Sequence, residues 1–113
     1  MTIETLGEVM QYARSIRHEQ TRRESEDYLE MVMFRESWDD LRGLFESYFG
    51  PALKPLDEPP TQEAERVSSR YGGIVKEQAF YRSLRENFEH VAMVWPWSDG
   101  KRMTVKITQE VLT

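Results

Sequence analysis

Apolar side chains recur at three- and four-residue steps through Ile3, Leu6, Val9, Met10, Ala13 and Ile16, with Glu4, Glu8, Gln11, Ser15 and His18 on the other side. That period places one apolar stripe along a helix. Thr2 or Thr5 can cap its start, and Thr5 with Glu8 has the spacing of a capping box, in which hydroxyl and carboxylate satisfy each other's free amides. The helix is expected to fade between His18 and Arg23. Tyr28, Leu29, Met31, Val32, Met33 and Phe34 then form a short apolar run interrupted only by Glu30. Periodicity does not separate a strand from a buried helical turn here. A strand is preferred, because Ser37 and Asp40 have the spacing of a fresh helix start. Trp38, Leu41, Leu44, Phe45, Tyr48 and Phe49 make a strong second stripe, closed by Gly50 and Pro51.

Residues 50–60 hold Pro51, Pro55, Pro59 and Pro60, which remove amide donors and favour extended backbone. This segment is read as a stiff connector inside a single domain spanning 1–113. Thr61 can cap a short helix through Glu63, Ala64 and Val67 that ends near Gly72 and Gly73. The last third reads as sheet, with strands from Ile74 to Arg82, Phe88 to Trp97 and Arg102 to about Val111. Residues 74–87 also fit a helical spacing through Val75, Ala79, Leu84 and Phe88.

Asp99-Gly100 predicts a two-residue hairpin turn with positive φ at both positions. Such a turn sets Trp97 opposite Arg102, Trp95 opposite Thr104, Met93 opposite Lys106 and Val91 opposite Thr108. The other face then carries Ala92 and Val94 against Val105 and Ile107, with Met103 opposite Pro96. It belongs to the core, under helices. The first face mixes Met93, Trp95 and Trp97 with Arg102 and Lys106 and is the candidate binding surface. Trp97 beside Arg102 suits a cation–π pair, worth about 0.5–1 kcal/mol when exposed. The opposing reading is a central strand whose tryptophans lie beneath a helix, a loop or a second copy, with Arg102 and Lys106 snorkelling past the rim. The connector, through Leu53 and Leu56, is one available cover. Pro96 suggests a bulge or a sheet-edge stretch.

Composition narrows the classes. The 39% apolar and 31% charged content lets the chain bury a core, which sets it apart from disordered sequences. A net charge of −5 disfavours a protein whose whole surface wraps phosphates. The charge is uneven: residues 70–113 hold seven Lys or Arg against five Asp or Glu, and residues 1–69 hold eight against fifteen. Without cysteine there is no disulfide framework, thiolate metal site or cysteine nucleophile, and a reducing cytoplasm is the expected setting. The acidic first ten residues do not resemble a secretory signal, and no run approaches the roughly 20 apolar residues of a membrane span.

His18 and His90 are the only histidines, show no metal-ligand spacing, and are read as surface or boundary side chains. Glu24, Glu26, Asp27, Asp39 and Asp40 read as helix-start charges, while Asp57 and Glu58 lack a ligand pattern. Gly72-Gly73 lacks the lysine of a phosphate loop and serves a turn. Arg14, Arg17, Arg22 and Arg23, interspersed with acids, read as a self-compensated segment at the end of the first helix. The prolines lack PxxP spacing.

The chain is therefore expected to be α+β, an antiparallel three- to four-stranded sheet with two or three helices packed on one face. The expected function is a small non-enzymatic binding or self-association module using Met93, Trp95, Trp97, Arg102 and Lys106, with a protein or a second copy as partner. No cofactor or metal is implied and no membrane is involved. A single-stranded nucleic-acid binder using the same face, or a small-molecule enzyme or ligand-binding domain, are the alternatives.

Overall fold

The computed structural model describes residues 3–112. Helix α1 spans Leu6–Ser15, followed by strands β1 (His18–Ser25) and β2 (Tyr28–Phe34), a single 3-10 turn (Arg35–Ser37) and helix α2 (Trp38–Phe49). After the connector come α3 (Gln62–Ser68) with a 3-10 extension (Ser69–Tyr71), then β3 (Ala79–Arg85), β4 (Phe88–Pro96) and β5 (Arg102–Val111). All five strands form one antiparallel sheet in the order β1-β2-β5-β4-β3. The chain is thus α+β with five strands, one more than the upper expectation.

The additional strand is β1. The expected helical tail to Arg23 stops at Ser15, where Ile16 turns extended and its N–H bonds to the Ala13 carbonyl. Every β1 residue after His18 is exposed, so this edge strand shows no apolar period; its backbone pairing with β2 holds it in place. Thr5 caps α1 in a full capping box with Glu8, and Thr2 lies outside the described residues. Ser37 stands at the start of α2 without capping it. Its hydroxyl donates instead to the Arg17 carbonyl at 3.0 Å, tying α2 to the α1–β1 link. Gly50, at φ +81, ends α2 with its N–H on the Glu46 carbonyl, and Thr61 caps α3 by accepting from the Ala64 N–H.

In the first ambiguous segment, Tyr28–Phe34 are strand as preferred, and the second also holds a strand, although β3 begins at Ala79 and not at Ile74. A turn holds the residues before it: Gln78 N–H bonds the Val75 carbonyl, and the Gln78 side chain accepts from the Val75 N–H.

Helices α1 and α2 pack on one sheet face, burying Val9, Met10, Leu41 and Phe45 against Met31, Met33, Ala92, Val94, Met103, Val105 and Ile107. Helix α3 does not join them. Ala64 and Val67, with Ile74, cover Phe80, Val91 and Met93 of the opposite face. The expectation of helices on one face fails because β3 and β4 are apolar on both sides there, and a second apolar face must also leave water. The connector crosses between the two layers at the β3 edge: Leu56 packs on the first cluster and Leu53 on the second. Between them Lys54 pairs with Phe80 through two backbone hydrogen bonds of 3.2 and 2.9 Å. That edge is covered, whereas β1 leaves the other edge open and guards it with charge.

Candidate functional site

Strand β4 meets β5 in the predicted register, with Met93 opposite Lys106, Trp95 opposite Thr104 and Pro96 opposite Met103. The turn that sets it differs from expectation. Asp99 is not among the residues with positive φ; only Gly100 is, at φ +71. The Trp97 carbonyl accepts from the Gly100 N–H, the Trp97 N–H donates to the Arg102 carbonyl, and the Asp99 carboxylate accepts the N–H groups of Lys101 and Arg102. The loop is therefore four residues long, centred on the same point as the two-residue turn. Equal centring preserves the pairing and the facing of every side chain.

This hairpin places the candidate residues on the face opposite α1 and α2, but not in one exposed group. Met93 is buried in the small core beneath α3. Trp95 is half-buried at the margin of that core, with the Lys106 ammonium 5.1 Å from its ring centroid. Trp97, also half-buried, lies beyond the cover of α3 and donates its indole N–H to Thr104 Oγ1 at 2.9 Å. Two guanidinium groups flank its ring, Arg102 at 5.9 Å and Arg22 at 5.6 Å. The expected Trp97–Arg102 pair is present. The Arg22 partner was not foreseen, because it depends on β1.

The cations over the indoles already have partners. Arg102 bonds Glu19 at 2.9 Å and Asp99 at 2.8 Å, while Lys106 and Arg22 both approach Glu30, at 3.9 and 3.8 Å. Bonds to Glu19 and Asp99 push the Arg102 pKa up, and the Lys101 N–H with the Arg102 contacts holds Asp99 below the usual carboxylate range. Glu30 also accepts from the Tyr28 hydroxyl at 2.7 Å; burial and that contact raise the phenol to about 12. The result is a charge-balanced patch containing Arg22, Arg102, Lys106, Glu19, Glu30 and Asp99 around two indoles. Of the arginines assigned to the helix end, Arg14 lies in the last turn of α1, whereas Arg17 precedes β1 and Arg22 and Arg23 lie within it; Arg14, Arg17 and Arg22 each pair with a carboxylate.

His90 lies deeper than expected, at 7% exposure, and its neighbour Glu89 is buried at 2%. His90 faces the α1–α2 layer, with its Nδ1 2.7 Å from the Tyr48 hydroxyl and its Nε2 2.9 Å from Gln109 Oε1. The network assigns a neutral ring that donates from Nε2 and accepts at Nδ1. Burial, with the Arg85 charge adding to it, pulls its pKa down. Both nitrogens are engaged, so the ring offers no free base to the cleft of about 580 Å³ beside it. A depressed histidine pKa means that the unfolded chain takes up its proton first on acidification. Stability should therefore decline as pH falls below about 6.5 toward the folded-state value. Urea midpoints between pH 5 and 7.5 should show this slope, and His90→Gln should flatten it; an unchanged slope would assign it to other groups.

Among the described residues, no three His, Asp or Glu side chains gather as a metal site requires. No described helix is long and apolar enough to cross a membrane. No family model, curated protein or solved structure matches the chain.

Proposed function

We propose that the chain is a non-enzymatic, cytoplasmic self-association module that docks a second copy through the sheet face bearing Trp95, Trp97, Arg102 and Lys106. The observation that carries this reading is a pair of half-buried indoles, Trp95 at the margin of the α3 cluster and Trp97 outside it, inside a patch of balanced charge. A patch with equal numbers of acids and cations suits a twofold contact, in which each surface meets its own image and a cation can face an acid. Half-buried tryptophans supply the rigid contact area from which interface anchors are built. Met93 belongs to the cluster against which Trp95 packs.

Single-stranded nucleic acid fits this face less well. The guanidinium groups of Arg22 and Arg102 already lie over the Trp97 ring, at 5.6 and 5.9 Å from its centroid, and would compete with a stacking base. The cations are neutralised within the chain, so few counterions would be released on binding a strand.

Sedimentation of the full-length chain over a concentration series should reveal a dimer that Trp97→Ala weakens by tenfold or more, on the order of 1.4 kcal/mol. Lys106→Glu, which leaves both indoles in place, should also weaken it. A monomer at all concentrations with intact fold sinks the reading. So does a dimer indifferent to both variants, or binding of a random oligonucleotide that falls steeply with salt.

A further inference from the structure

At the end of the sheet, where β2 runs into its 3-10 turn beside the β4–β5 loop, lies a cleft of about 520 Å³ lined by Phe34, Arg35, Glu36, Gly100, Lys101 and Arg102. It adjoins the tryptophan patch through Arg102 but has a different electrostatic character. Glu36 is taken up by Arg17, and Arg102 by Glu19 and Asp99. Arg35 and Lys101 form no ion pair with any described residue, and the Arg35 N–H on the Lys101 carbonyl at 2.8 Å holds their backbones side by side. The walls are Phe34, with the Arg17 guanidinium 4.4 Å from its ring centroid, and Gly100, beside which a Cβ would meet nothing within 4 Å. An approaching backbone therefore has room.

We infer that this cleft accepts a carboxylate-bearing segment of another polypeptide, with Arg35 and Lys101 holding the acidic groups and Phe34 the adjoining apolar stem. Two cations without an ion pair among the described residues, beside an aromatic wall, match one or two carboxylates. They are too few to track a polyphosphate, since a strand touching only these two would show a salt slope of about −1.4. The inference goes beyond the self-association reading, because the cleft can be filled whether or not the tryptophan patch dimerises.

The test uses the full chain and three measurements. Anisotropy with fluorescein-labelled hexaglutamate should show salt-sensitive binding that Arg35→Ser/Lys101→Ser weakens by about fivefold or more, the loss expected for two exposed ion pairs. The control is Arg66→Ser/Lys76→Ser, which removes the same charge from two other cations that lack a described ion pair; it should bind the peptide nearly as wild type. Equal loss in both variants means attraction to net charge alone and overturns the inference. Absence of peptide binding overturns it as well, and so does tighter binding of labelled hexathymidylate. Sedimentation of the same variants separates the outcomes. Peptide binding lost with the dimer retained supports the cleft as an independent site, and a dimer lost on Trp97→Ala with peptide binding retained does the same.

Discussion

Replacing Arg82 by methionine should destabilise the protein by about 2–3 kcal/mol at neutral pH, and more than Glu89→Gln does. The Glu89 carboxylate is 2% exposed on β4 and is held by Arg82, by Arg70 at 3.3 Å and by the Tyr71 hydroxyl. Burial alone pushes its pKa up, but the hydrogen bonds from Tyr71 and Arg82 outweigh that and hold it below the usual carboxylate range. Removing one partner of a buried charge commonly costs about 3–5 kcal/mol. Arg70 and Tyr71 remain on the other side and keep part of the compensation, which brings the cost to or just below the low end of that range. Glu89→Gln leaves the opposite situation: Arg82 and Arg70 are 28% and 57% exposed and can turn toward water, which limits the cost to about 1–2 kcal/mol. The sign with pH is fixed by the lowered pKa. Stability from Glu89 is present above the carboxylate range and lost as pH falls through its folded-state value. The Arg82→Met deficit should therefore shrink on acidification, as the orphaned carboxylate takes up a proton and ceases to be a buried charge. Urea denaturation at pH 7 and pH 4 measures both; a deficit that does not change with pH would place the loss in packing.

This cluster also shows what could be read before the fold was known. Glu89 and His90 are neighbours in sequence, but strand alternation sends them to opposite sheet faces, and apart from Arg82, which reaches Glu89 across the β3–β4 hairpin, their partners come from distant segments. Tyr71 and Arg70 arrive from the turn after α3, and Tyr48 arrives from α2 as one member of what reads as an apolar stripe. No local spacing carries such a meeting. The hairpin behaves differently because a turn and its strands are contiguous. Even with the wrong turn type, a loop of four residues in place of two keeps the same centre and hence the same register. Helix α2 and strands β4 and β5 were legible for the same reason, since their apolar periods are set by burial on the element itself, whereas the β2 run shows no decisive period and was assigned from the helix start expected after it. Strand β1 was not, because an edge strand exposed on both sides has no period to show.

The candidate face illustrates both behaviours at once. Alternation correctly put Met93, Trp95, Trp97, Arg102 and Lys106 on one side, but it does not reveal the side on which the connector passes. That choice delivers α3 over Met93, Val91 and Phe80, and it divides the face into a covered half and an open half. The apolar character of β4 on both faces was the available signal, since an apolar surface requires a cover from somewhere. Arg22 and Glu30, which complete the open half, depend on the β1–β2 pairing and on the insertion of β5 beside β2.

Lys54→Met should cost about 3 kcal/mol, although the substituted side chain keeps most of the aliphatic stem. Lys54 is 1% exposed in the middle of the connector. Its ammonium donates to the carbonyl oxygens of Pro55 and Gln78, each at 2.6 Å, and to that of Lys76. Three acceptors need three N–H groups, which among side chains of this length only a protonated lysine supplies from one atom. The prolines give this geometry its origin. Pro51, Pro55, Pro59 and Pro60 donate no backbone hydrogen bonds, so the connector is poor in donors, and the single ammonium ties it to the turn that precedes β3. Methionine leaves three carbonyls without that donor, at about 1–3 kcal/mol for each one that stays dry. Water entering from the connector side will satisfy part of the set and hold the total near the lower end. The backbone pair between Lys54 and Phe80 survives the substitution, so the loss should appear as reduced global stability with the sheet intact. Amide exchange should rise first in residues 52–58 and 74–80. A variant within about 0.5 kcal/mol of wild type, with unchanged exchange there, would show that the connector is held by Leu53 and Leu56 packing and that the ammonium is dispensable.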